Sequence, residues 1–365
     1  MNEQTFSYGR LIKPPQLIEL LSFWGAQVES ERIPDLLPIC VWGEPGLGKT
    51  QIVESFARSR GWAFTYLAPA QFEEMGDLTG MPQIHVMGDG QQTTKLVPPA
   101  WVPREPGPGL LLIDDVNRAD ERILRGMMQL LQRKQLGDWS LPKGWIIALT
   151  ANPDREDFSV THMDSALLDR MLHVELQFDL SAWQDWAVQE GLDARGILFT
   201  RFYPHFFDLD IVTPRSFTQF LQVIKSIPTW QEKESLLFSI GGGLLGEQGV
   251  ATFLEYLRLG LERLPTSDAL LQAAQEGSLQ AVLAPWQGVS HQSFPVLSRV
   301  MDQMRSYLKH QKIKSPAGLI AFLKWEGWPA DLRLQILRAL QEDRSPWLKA
   351  IQKDPTLNMI LLDLI

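Results

Sequence analysis

The stretch GEPGLGKT, Gly43 to Thr50, decides the fold. Its spacing, G-x-x-x-x-G-K-T, is that of a phosphate-binding loop between a strand and a helix. Glycines let backbone N–H groups curl around phosphate oxygens. The helix that follows turns its positive end toward the same oxygens. The reading assigns nucleotide binding to Gly43, Glu44, Pro45, Gly46, Leu47, Gly48, Lys49, Thr50 and Gln51. Lys49 is expected to neutralise charge on the β and γ phosphates, and the Thr50 hydroxyl to ligate magnesium. The flanks agree. LLPICVW, Leu36–Trp42, reads as a strand. Lys49–Arg60 reads as a helix with Ile52, Val53, Phe56 and Ala57 on one face and Gly61 as its stop.

Outward from the loop, short apolar runs alternate with helical patterns, which predicts an α/β fold with a parallel sheet and crossover helices. The other strands expected are Trp62–Leu67, Leu110–Ile113, Trp145–Leu149 and Leu172–Leu176, giving a five-stranded sheet with helices on both faces. Two hairpins interrupt the rhythm. One spans Gln83–Val97 around Gly88-Asp89-Gly90, and the other spans Gln132–Trp145 with its turn near Gly137-Asp138. The first either projects to touch a client or packs against its own domain. After about Asp179 the pattern turns helical. Trp183, Trp186 and Ala187 sit at helical spacing, and Pro214 opens a helix with Phe217, Phe220, Leu221 and Ile224 as its stripe. From about Ser267 a third helical region follows. The expected domains are 1–178, 179–264 and 265–365.

LLLIDDVNRAD, Leu110–Asp120, carries the second chemical signal. Ligands of a parallel sheet gather beyond the carboxyl ends of its strands. Asp114 ends the strand and is placed to meet the magnesium held by Thr50. Asp115 then faces the water that attacks the γ phosphate, orienting and polarising it. Most motors of this kind carry glutamate there, one methylene longer. A misplacement near 1 Å costs on the order of 100-fold in rate, so a slow but competent enzyme is expected. IIALTANPD supplies Asn152, which leaves its strand beside the nucleotide, where its amide can hold the attacking water or the γ phosphate.

Composition narrows the classes. The chain has 365 residues, 45% hydrophobic and 21% charged, which is ordinary globular composition. A net charge of -9 argues against non-specific coating of nucleic acid. The single cysteine, Cys40, excludes an internal disulfide and reads as a buried small hydrophobe. No apolar run reaches the roughly 18 residues a bilayer requires, and the N-terminus lacks a signal-peptide core. A soluble, cytoplasmic protein without a membrane partner is expected. No histidine pair has local ligand spacing, and no protein-held transition metal is expected. His205, among Phe202, Tyr203, Phe206 and Phe207, reads as a core residue. Most of the 13 tryptophans read as core. The basic run Arg305, Lys309, His310, Lys312 and Lys314 reads as a solvated helix end.

Together the phosphate loop, Asp114-Asp115 with Asn117-Arg118, Asn152-Pro153, SALLDRMLHVEL and TPRSF resemble a AAA+ ATPase. More narrowly, they resemble the MoxR-like, dynein-related group of bacterial and phage type. EEMGDLTGMP resembles the approach to that group's helix-2 insert, and the second hairpin sits where its pre-sensor-1 hairpin lies. LP-GW at Leu141–Trp145 and W-x-x-W-A at Trp183–Ala187 add to the likeness, which covers about Tyr8 to Leu261. The resemblance implies ATP and Mg2+ as ligands and Asn152 as sensor 1. Arg170 would be an arginine finger reaching a neighbouring subunit, and Arg215 a sensor 2 within its own. Arg118 either acts across the interface or forms a surface ion pair. The resemblance further implies a ring, expected as a hexamer, that remodels a protein client, with a von Willebrand A domain protein as the family's common partner. Two alternatives stay open. One is a nucleic-acid motor resembling the GTP-driven restriction translocases, for which TANPDRED is a faint likeness. The other is a nucleotide-binding switch that barely turns over.

Overall fold

A computed structural model describes residues 8–30, 36–154, 160–286, 290–310, 316–342 and 345–362. By its contacts the chain divides into two compact units. The first is Met1–Trp186 with Thr213–Arg215, and the second is Ala187–Val212 with Ser216–Ile365.

Among the described residues, ten strands occur in the first unit: β1 (Arg10–Ile12), β2 (Ile39–Trp42), β3 (Ala63–Leu67), β4 (Met81–Val86), β5 (Gln92–Val97), β6 (Gly109–Ile113), β7 (Gln135–Leu136), β8 (Trp139–Ser140), β9 (Trp145–Ala151) and β10 (Leu172–Leu176). Six of them form one parallel sheet in the order β1-β10-β2-β9-β6-β3. Five strands were expected. The sixth, β1, is three residues long, pairs on one side only, and buries only Ile12, so it leaves no periodic signal in the sequence. β2 starts at Ile39 rather than Leu36, because Pro38 has no N–H to give a ladder.

Of the four inner strands, β2, β9 and β6 are buried along their whole length. That is the signature of a parallel sheet covered on both faces. Alternate residues go to opposite sides. Ile39, Val41, Leu110 and Leu112 pack with Leu17 and Leu21 of α1 (Pro14–Glu29) and with Val53, Phe56 and Ala57 of α2 (Lys49–Ser59). Cys40, Trp42, Leu111 and Ile113 pack with Ile123, Leu124, Met127, Leu130 and Leu131 on the other face. Those five belong to a single helix, Glu121–Arg133, whose N-cap Asp120 accepts from the Arg122 N–H. Cys40 is fully buried, which pushes its thiol pKa up.

β4 and β5 form the first expected hairpin, in full antiparallel register from Met81↔Val97 to Val86↔Gln92. The second is smaller than expected: β7 and β8 have two residues each, and Gln132 and Arg133 still belong to the preceding helix. The two hairpins touch. The Leu96 N–H donates to Asp138 Oδ2 at 2.7 Å, and Leu96 lies over Gly137.

The second unit is helical. Around Phe199 its aromatic core gathers Phe206, Phe217, Phe253 and Tyr256. The helix Glu234–Arg258 breaks at Gly246, where φ is 74°. A further apolar cluster draws on residues from Leu270 to Leu357. His205 departs from expectation: its side chain is 89% exposed and pairs with Asp208 at 2.9 Å. Its apolar neighbours in sequence do not enclose it, because the chain turns there in a short 3-10 helix, Phe206–Asp208. Trp42, Trp62, Trp139, Trp145, Trp183, Trp230 and Trp328 are buried. Lys312 and Lys314 of the basic run, and residues 155–157 of TANPDRED, lie outside the described residues. No described helix is long and apolar enough to cross a membrane.

Candidate functional site

The sheet order builds the site. β2 delivers the phosphate loop, β6 delivers Asp114 and Asp115, and β9 between them delivers Thr150 and Asn152. The loop needs left-handed backbone at Gly46 (φ 84°) and Gly48 (φ 85°), and Gly48 caps α2. At Gly46 a Cβ would also come within 3.0 Å of Thr213. The loop curls so that Lys49 is buried, with Nζ donating to Gly43 O at 2.7 Å, Glu44 O at 3.2 Å and Asn152 Oδ1 at 3.1 Å. Burial pushes the Lys49 ammonium down to about 8, against the opposing pull of Asp115 and Asp114.

Asp114 is held by three hydroxyls. Thr50 Oγ1 and Thr150 Oγ1 each donate to its Oδ1 at 2.6 Å, and the Tyr66 hydroxyl donates to Oδ2 at 2.9 Å. Burial and then the bond to Asp114 push the Tyr66 phenol up to about 12. Thr150 Oγ1 also accepts the Asp115 N–H at 2.8 Å, so one hydroxyl ties both aspartates. Asp115 stands in left-handed backbone, φ 48° and ψ 47°. Asp and Asn adopt that conformation more readily than other residues with a side chain. Its Oδ1 accepts from Asn152 Nδ2 at 3.0 Å, and its Oδ2 lies 3.4 Å from Arg118 Nε.

Asn152 is buried and fixed from behind. Its N–H donates to Asn117 Oδ1 at 3.1 Å, and Asn117 Nδ2 donates to its carbonyl at 2.7 Å. Lys49, Thr50, Asp114, Asp115 and Asn152 therefore form one hydrogen-bonded network. Arg215 meets the phosphate loop through its backbone, its N–H donating to Gly46 O at 3.2 Å. Its exposed guanidinium adds positive charge that lowers the Lys49 pKa. Arg170 lies outside the network. Its Nε donates to Gln132 Oε1 at 3.2 Å and its Nη1 to Ala166 O. Gln51 is exposed on α2. Sequence reading assigned no role to Tyr66, Thr150 or Asn117. Of these, Asn117 stood inside the DDVNRAD motif, whereas Tyr66 and Thr150 carried no spacing signal.

A hydroxyl and a carboxylate converging at 2.6 Å are hard oxygen donors of the kind magnesium takes beside phosphate and water. Thr50 and Asp114 fit that ion.

Residues 38–171 match the family model described as AAA domain (dynein-related subfamily). This segment is similar to AAA domains. Among solved structures, the Holliday junction branch migration motor RuvB of Thermotoga maritima is 16% identical. The match has a TM-score of 0.39 and covers 74% of this chain and 80% of that one. A closed-state reconstruction of Hsp104 with FITC casein is 14% identical, with a TM-score of 0.35 and coverage of 49% and 36%. This chain thus spans about a third of the Hsp104 chain it matches. No curated protein matches the sequence.

Behind the phosphate loop, Trp42 Nε1 donates to His173 Nδ1 at 2.9 Å, and His173 Nε2 faces Leu168 O at 2.8 Å. Tyr8 packs on Trp42 at 4.6 Å, and its hydroxyl accepts the Asp154 N–H. This bonding suits neutral His173. A second ring proton would point at the Trp42 N–H. Burial lowers the His173 pKa from the usual value. The unfolded chain then binds the proton more readily, so stability rises with pH through this window and falls on acidification below about 6.5. Melting temperature is expected to drop between pH 7.5 and 5. The drop should be smaller in His173→Gln, although that variant starts less stable. Equal drops in both would remove His173 as the cause.

Proposed function

We propose that this protein is a MoxR-like AAA+ ATPase that hydrolyses ATP at subunit interfaces of a ring, expected as a hexamer, and couples turnover to remodelling of a protein client. The observation that carries the reading is the continuous network Lys49–Asn152–Asp115 beside Thr50–Asp114. In this reading the loop amides from Gly43 to Gly48 bind the phosphates, and Lys49 turns from its own loop carbonyls to the β and γ oxygens. Thr50 and Asp114 would hold magnesium, which would neutralise charge on those oxygens. Asp115 orients a water and takes its proton as the water oxygen bonds to the γ phosphorus. The bond from that phosphorus to the ADP oxygen breaks. Asn152 steadies the water or the γ phosphate. Arg215 serves the same subunit as sensor 2, and Arg170 serves the neighbouring one. We further assign 1–178 as the nucleotide-binding domain, 179–264 as its helical lid and 265–365 as a helical extension. A von Willebrand A domain protein is the proposed partner.

Steady-state ATP hydrolysis across a range of protein concentrations tests this. Specific activity should rise with concentration, need Mg2+, and vanish in Lys49→Ala. Activity that does not change with concentration would remove the interface from the mechanism. A second reading, a binding switch with little turnover, draws on the engagement of both Asp115 oxygens, one by Asn152 and one by Arg118. Tight Mg-nucleotide binding without turnover at every concentration would favour it.

A further inference from the structure

The two oxygens of Asp114 are held differently. Oδ1 takes both threonine hydroxyls, Thr50 from α2 and Thr150 from β9. Among the described residues, Oδ2 takes its hydrogen bond from Tyr66. Tyr66 lies on β3, an edge strand of the sheet, opposite Leu112 in register. The backbone brings the two together: the Asp114 N–H donates to Leu67 O at 2.7 Å, extending the β3–β6 pairing one step beyond Ile113. The phenol is thereby carried across the carboxyl edge of the sheet. Tyr66 remains 48% exposed, so core packing does not account for its place.

A carboxylate on a strand end is free to rotate about its last bond. Two donors on the same oxygen leave the other oxygen's direction to whatever else grips it. Hydrogen bonds from hydroxyls to a carboxylate are charge-assisted and strong. Groups that orient a metal ligand in this way tune metal affinity without touching the metal.

We propose that Tyr66 is a positioning residue for the magnesium-nucleotide complex, fixing the Asp114 carboxylate from the edge strand so that it presents a preset oxygen. The inference rests on the functional reading above and adds a residue to it. Tyr66 does not touch the reacting atoms in this scheme. Its effect runs through the metal ligand and should appear in the Mg2+ dependence rather than in nucleotide recognition.

The test is a titration of a fluorescent ATP analogue against wild type and Tyr66→Phe, in Mg2+ and in EDTA, with Mg2+ half-saturation measured separately. The phenylalanine keeps the ring and loses only the donor. Its exposed edge position and a melting curve guard against a folding defect. Half-saturation by Mg2+ should move up by about five- to tenfold, at the low end of what second-shell partners contribute because the phenol is half exposed. Affinity in EDTA should stay within about twofold of wild type. Tyr66→Leu, which removes the ring as well, should match Tyr66→Phe. An unchanged Mg2+ titration in Tyr66→Phe would overturn the proposal. So would an equal loss in EDTA, which would place the phenol on the nucleotide itself. Wild type that binds equally in Mg2+ and EDTA would overturn the functional reading and this inference with it; a failure confined to the variant would leave that reading standing.

Discussion

Replacing Arg170 by alanine should lower ATP turnover by about a thousandfold while leaving nucleotide affinity unchanged. Arg170 follows the short helix Ser165–Leu168 and bonds to Gln132 and Ala166 of its own chain. Neither partner belongs to the phosphate loop or to the network around Asp114 and Asp115. Such bonds at an exposed site are weak in sum and easily exchanged. In the proposed ring, a guanidinium so placed would be available to a neighbour's γ phosphate, where charge spread over the transferring group is greatest. Mixing decides between neighbours and self. Arg170→Ala retains an intact loop, and Lys49→Ala retains an intact arginine. If the arginine acts in trans, an equimolar mixture of the two inactive variants should recover a measurable fraction of wild-type turnover. If mixing recovers nothing while both variants still assemble, Arg170 acts within its own subunit or not at all. Size-exclusion chromatography with nucleotide checks the assembly.

The second large effect falls on Asp115. Asp115→Asn should cut turnover by roughly 100- to 10,000-fold with nucleotide binding retained, because the amide cannot take the water's proton. Asp115→Glu should do two opposite things. Turnover should rise, by up to about 100-fold, as the longer arm reaches the water. Stability should fall by on the order of 1 kcal/mol, because glutamate tolerates the left-handed backbone at φ 48° less well than aspartate. Paired measurements of kcat and of urea unfolding separate the two. A glutamate variant that is less stable and no faster would mean that reach does not limit the base. The aspartate would then be explained by its backbone conformation.

The sequence by itself determined the parts whose physics is local. A phosphate loop is a run of consecutive residues, so Gly43–Thr50 was legible from spacing, as was the strand end at Asp114-Asp115. The inner strands could be read because burial on both faces makes them continuously apolar. β1 could not, since three residues of which only Ile12 is buried carry no period. His205 was misread for the converse reason: apolar neighbours in sequence do not enclose a side chain that the backbone turns outward.

The tertiary structure alone decided how the site is wired. Lys49 meets Asn152, Thr150 meets Asp114 and Asp115, and Tyr66 meets Asp114 because strand order sets β2, β9, β6 and β3 side by side. The residues joined in this way are 35 to 103 positions apart in the chain. Hydrogen bonds act over about 3 Å, and no spacing in the sequence encodes which strand ends lie within that reach. The parallel sheet converts the separate motifs into one network at its carboxyl edge.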